Sequence, residues 1–260
     1  MTGERGVAMV VALMAMVVMV ALGTALMLVA ATESKIARNF RNNTEALYGA
    51  DAMLELAIDN LATIADWNLP LVGVARSAFI DGDPRGTRTF ADGSTIDLGE
   101  IVNYANCQKA TACTDAAMDA ITVERPWGAN NPRWQPFGWG FLRDLTPTAT
   151  IDSPFYVMVM VADDTSECDD NPLVDGGDMA SCPENAKANP GTGVLTLRAE
   201  AFGPFGSHRI IEVTVARPAD EVGGAETAPP EAAPGDNATV SYNSSAGQAG
   251  VRIVSWREVR

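Results

Sequence analysis

From Val7 to Ala31 the chain carries 25 uncharged residues, almost all Ala, Val, Leu or Met, with Gly23 and Thr24 the only mild interruptions. As an α-helix this run rises about 37 Å at roughly 1.5 Å per residue, enough to cross a hydrocarbon core of about 30 Å. A secretory signal has a shorter apolar core, roughly 7–15 residues, followed by a small-residue cleavage site and a change of pattern. Ala30-Ala31-Thr32 imitates such a site, yet helical character continues past it. Ile36, Phe40, Leu47, Leu54, Ile58, Leu61 and Ile64 recur three, four or seven residues apart, one stripe of a 3.6-residue helix, with Glu33, Lys35, Arg38, Arg41, Glu45, Asp51, Glu55 and Asp59 between them. No proline occurs before Pro70. The pattern therefore predicts one helix from about Val7 to Asp66, apolar all round in residues 7–31 and amphipathic in residues 32–66.

Past this helix the period changes from 3.6 to 2. Residues 154–163 are apolar and β-branched enough for a buried strand. Residues 193–203 and 207–217 alternate apolar with polar around Gly203-Pro-Phe-Gly206, a hairpin signal, and residues 251–258 offer a last strand. About four antiparallel strands with one apolar face suit the helix stripe, which makes the fold class α+β. Residues 67–150 give weak signals broken by Gly and Pro. Within them Trp127, Trp134, Phe137, Trp139 and Phe141 read as a small core that packs irregular loops, in preference to a partner-binding aromatic surface. Residues 218–250 are rich in Pro, Ala, Gly and Glu and bury too little to offset ordering, so a mobile connection is expected there.

The six-residue leader Met1–Gly6, the apolar run behind it, and Glu33–Ala52, where an Arg/Asn-rich segment precedes an alanine-rich turn carrying an acidic residue, together resemble the PilX-type minor pilins of type IV pili. The resemblance implies a type IV pilin-like fold, with a long N-terminal helix packed on an antiparallel β-sheet head. It implies cleavage by a prepilin peptidase between Gly6 and Val7, storage in the bacterial inner membrane with the leader cytoplasmic and the head periplasmic, and then extraction into an extracellular pilus. Its implied partners are other minor and major pilins through the helix, the peptidase, the inner-membrane assembly platform and a tip adhesin. Major pilins carry glutamate at the fifth mature position, where it is thought to meet a neighbouring subunit's amine; this chain has Val11. A carboxylate in hydrocarbon is costly without a partner. Its loss argues against a bulk fibre subunit and for a tip or initiation component. The K-type pseudopilin of type II secretion commonly shares the loss and is one alternative. An uncleaved single-pass anchor with a periplasmic ligand- or calcium-binding head is the other.

Charge and cysteines refine the exported part. A net charge of -15 and a pI near 4.4 disfavour nucleic acid, whose phosphates need a basic surface. Cys107, Cys113, Cys168 and Cys182 all follow the apolar run, and sequence proximity favours pairing 107 with 113 and 168 with 182. Residues 163–178 hold seven carboxylates and one amide; Asp163, Asp164, Asp169, Asp170, Asn171, Asp175 and Asp178 could wrap calcium, although the EF-hand spacing is absent. The bland alternative is a solvated loop stapled by a disulfide. No cofactor other than calcium is suggested. The lone His208 sits on an alternating strand, and neither a nucleophile elbow nor a phosphate-binding glycine loop occurs, so no enzyme is expected.

Overall fold

The computed structural model describes residues 4–121, 126–145, 152–167, 171–176, 192–217 and 250–259, and divides at Glu45 into two compact units. Glu4–Gly6, the last three residues of the expected leader, already belong to α1 (Glu4–Ala62), which therefore starts three residues before the expected Val7 and contributes to both units.

In the first unit α1 keeps its apolar side chains in the open: Val7, Met19 and Met27 are 65 %, 73 % and 77 % exposed. Thr24 and Thr32 donate their hydroxyls to the carbonyls of Ala21 and Leu28, both at 2.9 Å, so the few polar groups here are satisfied within the helix. Ile36 and Phe40 were expected to face the head; both are exposed.

The second unit begins where small residues take over. Ala46, Gly49, Ala50, Met53, Leu54, Ala57, Ile58 and Leu61 form the buried face of α1, in adjacent pairs that recur every four residues between Ala46 and Leu61. A Cβ on Gly49 would stand 3.3 Å from Leu142 and 3.6 Å from Val157, so the helix lies close to the sheet at this point. The helix ends at Ala62 rather than Asp66, and a single turn, α2 (Asn68–Leu71), follows. Thr63 and Ile64 donate to the carbonyls of Asn60 and Leu61 in a tightened last turn. Trp67, buried, returns its indole N–H to the Leu61 carbonyl at 3.2 Å, and the Arg217 guanidinium lies over its ring while donating to the carbonyls of Ile64 and Ala65.

The sheet contains five antiparallel strands among the described residues, in sequential order: β3 (Gln135–Phe141), β4 (Tyr156–Asp163), β5 (Val194–Gly203), β6 (Ser207–Ala216) and β7 (Arg252–Val259). The four strands expected from the pattern are present within two residues. The fifth, β3, was missed because Pro136, Gly138 and Gly140 read as breaks. Its glycines have a packing role: a Cβ at Gly138 would stand 2.5 Å from Met53 and one at Gly140 2.6 Å from the Phe79 ring. The outer edge of β3 is closed by residues 77–81, which exchange backbone hydrogen bonds of 2.8–3.0 Å with Phe137 and Trp139.

Alternate residues of β4 separate two cores. Val157, Val159 and Val161 pack under α1; Tyr156, Met158 and Met160 pack beneath a second layer made by hairpin β1 (Thr87–Thr89) and β2 (Thr95–Asp97) and helix α3 (Leu98–Cys107). Both faces of β4 are thus covered, which is why its sequence is continuously apolar. Phe137 joins the α1 core, Trp134, Trp139 and Phe141 join the second, and Trp127 is 41 % exposed, so the aromatics expected to form one small core serve two cores and a surface. Asp81 ties the second layer down, accepting from Arg88 Nε at 2.9 Å and from the Tyr156 hydroxyl at 3.3 Å. Cys107 and Cys113 form a disulfide at the end of α3. Cys168, Cys182 and residues 218–249 lie outside the described residues.

Candidate functional site

Two features of different kind stand out. The first is the N-terminal part of α1. Between Val7 and Val29 sixteen Val, Leu and Met side chains are exposed. Burying each is worth roughly 1.5–3 kcal/mol, so leaving all of them in water forgoes a few tens of kcal/mol, several times the net stability of a domain. No contact among the described residues accounts for that surface, and the helix is long and apolar enough to cross a membrane. By length and composition the segment suits a lipid environment. Gly6 and Val7, the expected cleavage pair, both lie inside the helix. Val11 leaves the stretch free of any carboxylate up to Glu33.

The second feature is a cleft of about 500 Å³ on the face of β5, β6 and β7 that the second layer leaves uncovered, lined in part by Trp127, Trp134, Thr196, Thr214 and Ser255. Its floor is charged. Arg198 donates to Glu200 at 2.6 Å and to Glu212 at 2.7 Å; Arg257 Nε reaches the other Glu212 oxygen at 2.9 Å, and His208 Nε2 meets Glu200 at 2.8 Å. The cross-strand register creates this chain, because Arg198 sits opposite Glu212 and Glu212 opposite Arg257. Burial alone would raise the Glu200 pKa and is its largest single influence. The His208 hydrogen bond and the attraction of Arg198 outweigh it and hold the carboxyl below its ordinary value. Burial works against the Arg198 charge too, and its two carboxylate partners more than restore it. His208 also stacks on Phe202 with centroids 4.4 Å apart. Its place is thus structural, at the end of a hairpin, with no nucleophile among its described partners. The alternation in residues 193–203 and 207–217 did not single out Arg198, Glu200 or Glu212.

The acidic stretch does not act as one set among the described residues. Asp164 accepts from the backbone and hydroxyl of Ser166, a local turn. Asp175 accepts from Gly193 N at 2.8 Å, and its pKa is raised chiefly by burial. Asn171 is exposed. Asp163 differs: it is 2 % exposed, and burial, followed by the Glu167 carboxyl beside it, pushes its pKa up to about 11. Asp169, Asp170 and Asp178 lie outside the described residues. No cluster of three or more His, Cys, Asp and Glu side chains converges among the residues that are described.

An apolar helix able to span a membrane, continued into the buried spine of an antiparallel sheet, defines a type IV pilin-like α+β architecture. Residues 5–55 match the family model described as PilX N-terminal, which covers the apolar run and the Arg/Asn-rich segment on which the resemblance rested. No curated protein and no solved structure matches the chain.

Proposed function

We propose that this chain is a minor pilin of a type IV pilus, which initiates assembly or forms part of the tip complex through its N-terminal helix. One observation carries the reading: the PilX N-terminal match coincides with a helix whose apolar side chains are exposed on every side and which lacks a carboxylate at its fifth position after Gly6. Membrane anchoring follows from the helix. The inner membrane, the cytoplasmic leader and the periplasmic head are the orientation that the pilin reading implies, with cleavage by a prepilin peptidase between Gly6 and Val7. Extraction from lipid is then driven by packing of apolar spines against one another, and head contacts select the neighbour. The role is structural rather than catalytic. A K-type pseudopilin of type II secretion would use the same helix in the same way, and deletion of the pilus genes or the secretion genes separates the two by which assembly fails.

The test is made in cells. Mass spectrometry of the membrane-extracted protein finds an amino terminus at Val7, and Gly6→Arg blocks both that cleavage and incorporation into filaments. An intact Met1 in the wild type, or normal maturation and normal filaments with Gly6→Arg, overturns the reading in favour of an uncleaved single-pass anchor.

A further inference from the structure

Asp163 is the last residue of β4, and the strand's burial pulls its carboxyl out of water. Among the described residues neither Oδ1 nor Oδ2 meets a well-formed donor, and the groups nearest to supplying one are the Asp164 backbone N–H and the Glu167 carboxyl itself. Four residues on, Glu167 is also buried, and its carboxyl adjoins that of Asp163 closely enough for the two to influence each other's charge. A third group comes from a different part of the chain. Asn130, only 4 % exposed, donates Nδ2 to the carbonyls of Thr165 and Glu167, both at 3.2 Å, which presses its amide against the same turn. The Oδ1 of that amide is buried and has no donor either. Two neighbouring carboxyls and an amide oxygen with no described donor thus belong to one buried turn. Asp164 and Thr165, on the same turn, line the open cleft, which connects the turn to solvent.

Like charges this close are not both kept ionised in a low-dielectric interior unless a positive group lies between them. We propose that Asp163, Glu167 and the Oδ1 of Asn130 bind a divalent cation of the hard, oxygen-seeking kind, calcium in preference to magnesium. Calcium accepts six to eight oxygens in loose geometry, which suits one amide and two carboxyls completed by water or backbone carbonyls; magnesium demands a near-ideal octahedron and gives up its water reluctantly. The set differs from the one the acidic sequence suggested: it uses Glu167 and Asn130, and leaves Asp164 in its turn with Ser166 and Asp175 on the backbone of Gly193. It is independent of the pilin reading, since an anchored head of any function would hold the cation equally.

The experiment uses the full chain in detergent, melted in EDTA and again in 5 mM calcium chloride or 5 mM magnesium chloride, with calorimetric titration of calcium. Extracellular calcium modules bind in the 0.1–1 mM range, so calcium is expected to raise the melting temperature by roughly 2–9 °C with saturable heat. Asp163→Asn, nearly isosteric, removes the calcium-dependent shift, whereas Asp92→Asn on the exposed β1–β2 turn leaves it intact. If Asp163→Asn does not fold, Glu167→Gln is read in the same buffers with the same expectation. No shift and no heat in the wild type, or a shift that survives Asp163→Asn or its substitute, overturns the site. A larger shift with magnesium overturns the assignment to calcium.

Discussion

Replacing Arg198 with methionine tests whether the charged floor of the cleft holds the outer strands together. The variant keeps the length and apolar stem of the side chain but deletes the donors that reach Glu200 at 2.6 Å and Glu212 at 2.7 Å. Neither carboxylate can turn to water: the Glu200 and Glu212 side chains are 4 % and 7 % exposed. Removing one partner of a buried pair costs about 3–5 kcal/mol, since the other charge remains in low dielectric. His208 still reaches Glu200 and Arg257 still reaches Glu212, although both are much more exposed, at 40 % and 67 %. With those partners retained, the loss falls to about 2–4 kcal/mol. For a head of this size that lowers the melting temperature by about 4–16 °C. The assay is far-UV circular dichroism of the detergent-solubilised chain at pH 7, comparing wild type, Arg198→Met and the triple variant that adds Glu200→Gln and Glu212→Gln. The triple variant removes the uncompensated charge and should melt above Arg198→Met. The reasoning fails if Arg198→Met melts within about 2 °C of wild type, less than one kcal/mol for a head of this size, or if the triple variant melts lowest.

Further outcomes follow from the same packing and electrostatics. Because the Glu200 pKa is depressed on folding, its share of stability is present above the unfolded carboxyl pKa and lost as pH falls through the lower folded value. Melts between pH 6 and pH 3 should therefore decline less steeply in Glu200→Gln than in wild type, and parallel curves would contradict this. Gly140→Val places a Cβ about where the Phe79 ring stands, 2.6 Å away, and should cost about 1–3 kcal/mol by urea denaturation. Opening the short loop closed by Cys107 and Cys113 with a double serine variant should cost about 2 kcal/mol, and reductant should then have no further effect on the α3 region. Val17→Arg, at the middle of the exposed apolar run, should reduce membrane insertion by about 2.5–3.5 kcal/mol, read as the inserted fraction after carbonate extraction.

Much of this protein is local in origin. The continuous apolar run Val7–Ala31 needs no tertiary contact to be recognised, because its length and lack of charge are properties of the segment itself. The alternation in residues 193–203 and 207–217, with Gly203-Pro-Phe-Gly206 between them, specified a hairpin, and Phe205 and Gly206 do adopt the left-handed conformations that close it. The N-terminal motif that matches the PilX N-terminal family is likewise contiguous in the chain.

What depended on tertiary structure involves residues far apart in sequence. Large apolar residues marked the stripe of α1, yet Ala46, Gly49, Ala50 and Ala57 make half of its buried face, because close approach to a sheet selects small side chains that periodicity of bulk does not register. β3 reads as a broken loop until Met53 and Phe79 occupy the space above its glycines. Residues 126–134 are held by buried polar side chains, with Asn106 and the backbone of Trp134 exchanging hydrogen bonds at 2.7 and 3.0 Å, and no period of 2 or 3.6 encodes such pairs. The charged floor and the oxygen cluster at Asp163 have the same cause. Arg198, Glu212 and Arg257 meet only through strand register, and Asn130 reaches residues 165–167 only because a loop folds across the end of β4. Hydropathy along the chain sets where a segment must hide from water, whereas the pairing of buried polar groups is decided by which strands and loops come to lie side by side.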